Sequence, residues 1–236
     1  MQHSLLVGLL FFVVSMRAQQ EQFEHSSSWN TLAVKADINE NWFVKSEFNF
    51  RRTNFLQDWE QIVLRPSIQH KVNPLITVGV GYTFIQNYSY SEFSPPINNR
   101  EDNLWQQLFI KQPFHLFTLS HRVRFEERFQ DKIVTIDGHA EITGINYSNR
   151  LRYRFIAEVP IFRKPKISVM AYDEVFLNFE KSLQPKRLDQ NWMFIGLRLQ
   201  ENEHIKITSG YHHIDIPRTE IVINNYIWET SVMFTL

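Results

Sequence analysis

Charged side chains recur at every second position in several segments of this chain, and their types decide what chemistry they could do. When arginines and carboxylates alternate with apolar residues, they share one face of an extended strand. The candidate cluster on that face comprises Arg51, Arg65, Arg122, Arg124, Glu126, Arg128, Arg150, Arg152, Arg154, Glu158 and Glu174. Guanidinium and carboxylate groups pair through charge-assisted hydrogen bonds, whereas an excess of guanidinium groups attracts anions. The pattern therefore predicts a salt-bridged network or a site for an acidic ligand.

The residue types support a catalytic site less than they support a charge cluster. The chain has no cysteine, which excludes disulfides, cysteine-ligated zinc and a cysteine nucleophile. The polar residues of the opposite, apolar phase are His121, Glu127, Ser209 and His213. Ser209 and His213 would stand roughly 13 Å apart on one strand, too far for a nucleophile to bond its base. His212 and His213 point to opposite faces and cannot chelate a metal as a pair. We therefore expect no catalytic residue, no metal site and no cofactor.

The composition limits the class of protein. Of 236 residues, 43% are hydrophobic and 14% aromatic, and 25 basic side chains balance 25 acidic ones. This apolar content excludes an intrinsically disordered chain. The charge balance offers no basic face, so we expect no nucleic-acid partner. A mean hydropathy of −0.31 and the lack of any run of about 18 apolar residues exclude a helical membrane protein.

The first 18 residues read as a signal peptide. Residues 5–14, LLVGLLFFVV, are too few to span a bilayer, and Ala18 follows as the small residue of a cleavage site. No Lys or Arg precedes the apolar stretch, and Met16 is larger than the residue usual at that position. The alternative is a buried N-terminal strand or helix. We predict cleavage after Ala18, export from the cytoplasm and one mature domain over residues 19–236.

The residue patterns predict strands and no helix. Alternation of apolar and polar residues is clear in 42–51, 117–129, 150–158 and 226–236. The candidate strands lie near residues 29–38, 42–52, 58–72, 75–88, 103–113, 115–129, 147–160, 166–179, 187–200, 204–214 and 225–236. Tight turns alternate with longer polar connections, and the latter are predicted at 89–102, 130–146, 180–186 and 215–224. Short turns at one end and long loops at the other are typical of outer-membrane barrels.

We therefore expect an all-β fold, a transmembrane antiparallel up-and-down β-barrel with short periplasmic turns and longer extracellular loops. Many candidate strands match the roughly 9–11 residues of a membrane strand and exceed the length of about 5–6 that is common in soluble proteins. A soluble sandwich or lipocalin-like barrel is the competing fold. Bacterial single-chain barrels have an even number of strands. We favour about 12 strands, in which residues 19–27 form a short additional strand. In one alternative, residues 19–27 thread the lumen. In the other, the barrel has ten strands and the first candidate strand lies outside the wall.

The last strand presents an apolar, aromatic outward phase. Its members are Tyr226, Trp228, Val232, Phe234 and Leu236. This ending resembles the terminal signal that the barrel-assembly machinery reads. The expected partners are therefore that machinery and outer-membrane lipid. An extracellular or periplasmic protein partner would bind at loops 89–102 and 130–146, and the second loop could instead cover the barrel mouth.

Several motifs in a fixed order resemble one known family. They are WQQ at 105–107, HRVRFEERF at 121–129, RLRYR at 150–154, DEVFLNF at 173–179, DQN at 189–191 and GL at 196–197. Together they resemble domain of unknown function 2490, a family of small Gram-negative outer-membrane barrels, from Trp29 to the end of the chain. Where that family commonly has Asn-Arg after Asp-Gln, this chain has Asn191 and Trp192, so an expected charge is missing. The resemblance implies fold and location in the cell outer membrane, and it supplies no activity.

Three function classes follow from these observations. The favoured interpretation is an outer-membrane barrel with a structural or partner-binding role and a lumen filled by arginine and glutamate. The alternative is a narrow anion-preferring pore or passive transport channel, because arginines outnumber carboxylates among the inward positions. An envelope-lipid hydrolase is the least favoured class, so the chain is not expected to be an enzyme.

The assembly signal generates the first testable prediction. Removal of residues 234–236 deletes the end of the apolar outward phase and should block insertion into the outer membrane. Fractionation and heat-modifiable migration on gels measure the folded, inserted protein. Normal yields of that species from the truncated chain would contradict the prediction.

Overall fold

The fold is a single closed β-barrel. A computed structural model describes residues 21–54, 56–91, 94–179, 185–218 and 221–236, with only the backbone described at residues 21 and 185–187. The predicted signal peptide and its cleavage site lie outside these ranges. Within them the strands are β1 Glu21–Asp37, β2 Trp42–Thr53, β3 Asp58–Lys71, β4 Ile76–Asn87, β5 Asn99–Pro113, β6 Thr118–Ile136, β7 His139–Arg163, β8 Lys166–Phe179, β9 Pro185–Gln200, β10 Ile205–Pro217 and β11 Ile221–Thr235. The described residues include no helix long and apolar enough to cross a membrane.

The strands follow one another around the barrel in chain order. Consecutive strands pair antiparallel, and β1 closes the barrel by pairing parallel with β11. The parallel register runs from Glu21 opposite Ile221 to Lys35 opposite Thr235. In a meander with an odd number of strands, the first and last strands point the same way, so only a parallel pair can close it. The single closed sheet excludes a two-sheet sandwich.

The strand count corrects the sequence-based expectation. We expected 12 strands, with 10 as the alternative, and the described residues form eleven. Residues 21–27, which belong to the segment predicted to form an additional strand, are instead the first part of β1. Residues 21–27 pair with residues 221–227 of β11 in the same register as the rest of the seam. Because this pairing satisfies the edge of β11, no further strand is needed for closure.

The predicted loop at residues 130–146 is wrong. β6 and β7 continue through it as paired strands and meet at Asp137 and Gly138, whose φ angles are 50° and 81°. Positive φ at both central residues is the requirement of a tight hairpin turn, and Asp-Gly is a strong signal for it. The loop predicted at 215–224 is likewise short, because β10 continues to Pro217 and β11 begins at Ile221. The loop predicted at 89–102 is confirmed in part, because β4 ends at Asn87 but β5 already begins at Asn99.

The two faces of the barrel wall differ in polarity. On the outer face, Val80, Ile195 and Trp228 are 52%, 57% and 60% exposed. On the inner face, charged residues such as Glu126 and Glu174 are fully buried. Many exposed apolar side chains on the outside and buried charged side chains on the inside reverse the arrangement of an ordinary soluble domain.

The parallel seam can be tested by cross-linking, since the chain has no native cysteine. Asn30 pairs with Thr230 across the seam, whereas Ser209 pairs with Thr230 from the other side, on β10. Oxidation of the variant Asn30→Cys/Thr230→Cys should form a disulfide, because paired residues of neighbouring strands are close enough for one. Mass spectrometry and gel mobility detect the cross-link.

The matched control is Asn30→Cys/Ser209→Cys, which places the thiols two strands apart. It should stay reduced. Cross-linking of the control in place of the Asn30–Thr230 variant would show that the barrel closes differently.

Candidate functional site in the barrel lumen

The alternation of the strands places the predicted charge cluster inside the barrel. β6 and β7 are neighbours, with Glu126 opposite Arg150 and Arg124 opposite Arg152, and β8 follows with Glu174 opposite Arg154. The buried members are Arg51, Arg124, Glu126, Arg128, Arg150, Arg152 and Glu174. The partly buried members are Arg65, Arg122, Arg154 and Glu158. Neighbouring strands therefore place opposite charges within reach of each other.

Glu126 is the centre of one group of ion pairs. Its carboxylate lies 2.6 Å from Nη2 of Arg150 and 2.8 Å from Nη1 of Arg152. Nη1 of Arg124 is farther away, at 3.9 Å. Two charge-assisted hydrogen bonds offset much of the cost of burying a carboxylate. The contacts tie β6 to β7 inside the lumen.

Glu174 is the centre of a second group. Nε of Arg152 lies 3.0 Å from one carboxylate oxygen, and Arg122 and Arg154 bind the same carboxylate. Arg152 therefore bridges Glu174 and Glu126. The two groups form one continuous network across β6, β7 and β8.

Besides Glu47, which pairs with Arg65, four inward carboxylates were not among the predicted site residues. They are Glu60, Glu101, Asp189 and Glu229. Glu101 binds Arg128 through two hydrogen bonds of 2.8 Å, and Asp189 lies 3.2 Å from Nη1 of Arg150. The alternation with Asn103 and Trp105 could have revealed Glu101. The missed residues lie beyond the predicted strand ends, at register shifts of the sheet or within the last strand.

These additional carboxylates correct the premise of an arginine excess. Inward arginines are nearly matched by inward carboxylates once Glu60, Glu101, Asp189 and Glu229 are included. The predicted members also do not all join one network. Arg65 pairs with Glu47 at 2.7 Å, and Glu158 pairs with Arg198. The excess of positive charge in the lumen is therefore smaller than the sequence pattern indicated, although cations still outnumber carboxylates there.

Aromatic rings occupy the lumen among the charges, which the sequence analysis did not predict. The guanidinium of Arg51 lies 3.5 Å from the ring centroid of Trp29, and that of Arg152 lies 4.2 Å from Phe176. Trp192 links these rings, with its centroid 5.3 Å from Trp29 and 4.7 Å from Phe176. Cation–π contacts stabilise arginines that have no room for a further carboxylate. A layer of rings thus extends across the lumen from β1 to β8.

Two further rings stack on arginines at the border of this layer. The guanidinium of Arg124 lies 3.9 Å from the ring of Trp105, which in turn covers Gly81. A Cβ atom at Gly81 would stand 2.2 Å from the Trp105 ring, so only glycine fits beneath it. Arg154 stacks on Tyr172 at 3.9 Å. Both contacts narrow the lumen further.

Three of the four predicted polar residues of the outer wall have side-chain partners. The Ser209 hydroxyl lies 2.9 Å from the Thr230 hydroxyl, and Nε2 of His213 lies 3.0 Å from Asp215. The Tyr153 hydroxyl lies 2.8 Å from the His121 ring. In the part of the chain that the structure describes, no group of three or more His, Asp or Glu residues is placed to hold a metal ion.

The predicted assembly residues lie on the outer face of β11, apart from the lumen. Trp228, Phe234 and Leu236 are exposed. Tyr226 is partly buried, and its hydroxyl donates to Glu24 of β1 at 2.9 Å. Val232 lies opposite Leu32 in the parallel seam. These side chains form apolar and aromatic surface on the outside of the barrel.

Comparison with known proteins identifies the family. The model of a protein family of unknown function, DUF2490, matches residues 26–223. The chain belongs to the DUF2490 family. An uncharacterised protein of Methylorubrum extorquens is 25% identical over 215 residues, covering 88% of this chain and 86% of that protein. No solved structure matches the chain.

The resemblance predicted from the motifs is thus confirmed, and the structure gives the motifs a shared location. The DUF2490 motifs at 121–129 and 150–154 supply the arginines and Glu126 of the network, and the motif at 173–179 supplies Glu174. At the position where an arginine was expected from the family pattern, Trp192 places its ring 5.4 Å from the Arg152 guanidinium. A tryptophan there adds a ring to the layer without adding an unpaired charge.

The network generates a stability prediction. Glu126→Ala removes the carboxylate that two buried arginines share, so it should lower the free energy of unfolding by about 3–5 kcal/mol, less if water enters. Tryptophan fluorescence during urea unfolding of the protein in lipid vesicles measures this change.

The matched control is Glu127→Gln, at the next position on the outer face. It should change the free energy by no more than about 0.5 kcal/mol. In the double variant Glu126→Ala/Arg150→Ala the two losses should not add, because the second change removes one of the unpaired charges. Equal effects of Glu126→Ala and Glu127→Gln would show that the network does not stabilise the barrel.

Proposed function

We propose that this DUF2490 protein is an outer-membrane barrel with a closed lumen and a structural or partner-binding role. In this role it conducts no solutes and catalyses no reaction. The observation that carries the proposal is the buried network around Glu126 and Glu174, together with the ring layer of Trp29, Trp192 and Phe176.

The outer-membrane location is supported by the polarity of the wall. The described strands run from 12 to 25 residues, which suffices for tilted strands that cross a hydrocarbon layer. Their outward side chains are mainly apolar, and the polar backbone groups are paired around the closed sheet. The N-terminal segment predicted to be a signal peptide agrees with export.

The closed lumen is supported by the cost of opening it. A continuous water path through the ring layer would require several buried guanidinium groups to leave their carboxylates or rings. Removing one partner of a buried ion pair typically costs about 3–5 kcal/mol. Since the pairs on Glu126 and Glu174 share Arg152, they would have to separate together. A passive pore is not expected to have such a free-energy barrier along the path of its solute.

A partner-binding role is supported by the hairpin beyond the barrel end. β6 and β7 continue past the last strands that pair with them and expose Ile136, Ile142, Ile145 and Tyr147. Exposed apolar side chains on an exposed hairpin favour contact with another protein or a lipid surface. Loops 88–98 and this hairpin lie at the same end of the barrel, since both connect strands there.

One observation favours the alternative, an anion-preferring pore. Nε of Arg122 and Nη1 of Arg124 are buried and donate no hydrogen bond to another described residue. Such donors could interact with a passing anion. Conductance decides between the two functions.

In planar bilayers, the closed-lumen protein should show little conductance. Glu126→Ala should then destabilise it, as above. If the lumen is instead an anion pore, the wild type should already conduct with anion preference, and Glu126→Ala should strengthen that preference with little loss of stability. A stable open channel of the wild-type protein would refute the proposed closed lumen.

The proposed orientation places the end of the barrel with the turns at 38–41 and 72–75 in the periplasm, and the end with loop 88–98 and the 137–138 hairpin outside the cell. Epitope tags inserted after Asn98 or Gly138 should then be labelled on intact cells, whereas a tag after Asn73 should be labelled only after permeabilisation. The reverse labelling pattern would show that the barrel is inserted the other way around.

A further inference from the structure

A second set of charges lies at the end of the lumen opposite to loop 88–98, where the turns at 38–41 and 72–75 connect the strands. The alternation that directs the ion-pair network inward also directs six cations inward at this end. They are Lys35 of β1, Lys45 of β2, Lys71 of β3, Lys111 of β5, Arg198 of β9 and Lys206 of β10, and together they form the basic vestibule. Because they come from strands around the whole barrel, they surround the lumen.

Carboxylates are fewer than cations in the basic vestibule. The pairs of the inner face are Asp37 with Lys35 and Lys71, Glu47 with Lys45, and Glu158 with Arg198. Glu47 also binds Arg65, at 2.7 Å. The turns at this end carry Glu40, Glu201 and Glu203, which are exposed. Within the described ranges, none of these three forms an ion pair with a cation of the vestibule.

Lys111 and Lys206 have no carboxylate partner in the part of the chain that the structure describes. Lys206 is repelled by Arg198 of the neighbouring strand. It is also repelled by Lys35 of β1 and Lys111 of β5, while Glu158 attracts it. Since β5 and β10 are on different sides of the closed sheet, Lys111 and Lys206 act on each other across the lumen. Positive charges therefore converge there without a matching number of negative ones.

Solvent reaches the basic vestibule. The side chains of Lys35 and Lys71 are 21% and 39% exposed, and Lys111 is exposed. On the inner side, Nε and Nη2 of Arg124 donate to Gln107, whose amide lies 3.2 Å from Gln69. The vestibule is thus an accessible cationic compartment with a polar floor.

We propose that the basic vestibule binds the phosphate group of a small soluble molecule. Converging cations without matching carboxylates attract an anion and hold it where their fields add. A phosphate group has up to two negative charges and three acceptor oxygens, so it can accept hydrogen bonds from ammonium groups on different strands. A carboxylate has two oxygens in one plane, which match the fork of a single arginine better.

This inference goes beyond a structural role and does not depend on it. It needs the barrel and its inward lysines, but neither the membrane location nor the closed lumen. In the proposed orientation the ligand comes from the periplasm. Conductance measurements test the closed lumen, whereas the binding experiment below tests the vestibule.

The test uses the full chain in micelles of an uncharged detergent, with inorganic pyrophosphate as the probe. Isothermal titration calorimetry measures binding in about 0.15 M sodium chloride, where exposed charges farther apart than about 8 Å are largely screened. Pyrophosphate should bind saturably with a dissociation constant below about 1 mM, and acetate should bind at least about tenfold more weakly.

Two variants remove the cations that have no carboxylate partner. Lys111→Gln and Lys206→Gln should each weaken pyrophosphate binding by about tenfold. Neither change breaks a described ion pair, so both variants should fold, which heat-modifiable migration checks. Lys206→Arg keeps the charge, should bind within about threefold of the wild type and keeps the inference testable if a glutamine variant does not fold.

The matched control is Lys132→Gln, which removes the same charge from the exposed hairpin at the other end of the barrel. It should leave binding unchanged. Equal weakening by Lys132→Gln and Lys206→Gln, or binding that does not saturate, would overturn the inference and indicate a diffuse layer of counterions.

Two further compounds distinguish the sources of a phosphate group. Glycerol 3-phosphate should displace pyrophosphate, because it is small and soluble. Short-chain phosphatidic acid in the micelle should not, because the closed wall separates the lumen from the surrounding lipid. Displacement by the lipid alone would overturn the assignment to a soluble molecule.

Discussion

Arginine side chains can occupy a narrow lumen only if each meets a carboxylate or an aromatic ring, and this constraint organises the interior of the barrel. A buried guanidinium without a partner loses its hydration and gains nothing in return. Glu126 and Glu174 therefore each bind more than one arginine, and Arg152 joins the two. The remaining guanidinium faces lie on Trp29, Trp105, Tyr172 and Phe176.

The closure of the sheet imposes the second constraint. With eleven described strands in a meander, the seam between β1 and β11 must be parallel, and its register spans most of both strands. Closure brings Trp29 of β1 against rings from β9 and β10, namely Trp192 and His212. The ring layer is thus a consequence of how the two ends of the chain meet. It could not form in an open sheet.

The arrangement of the lumen separates two regions that could serve different purposes. The ring layer and the ion-pair network form the narrow part, where Trp192 packs on Phe176 of β8 and Arg152 of β7 binds Glu126 of β6. Toward the loop end, a cavity keeps polar atoms without partners, including the amide oxygens of Asn103 and Asn225. The two regions therefore differ in how completely their buried polar groups are paired within the protein.

The sequence by itself determined the all-β class and the family. It also determined the positions of most strands and the side of the wall to which Arg124, Glu126 and Arg152 point, because the alternation of side chains along a strand depends only on local geometry. It did not determine the strand parity, the hairpin at Asp137 and Gly138, or the inward positions of Glu60 and Asp189. The Asp-Gly pair at this turn is a local signal for a two-residue hairpin, but the polar composition of residues 130–146 is equally typical of a long loop. Glu60 and Asp189 depend on a bulge and on register shifts, which are set by the pairing between strands. Closure of the barrel makes residues that are distant in sequence into neighbours. It therefore decides which carboxylate pairs with which arginine, and it brings Trp192 into contact with Trp29.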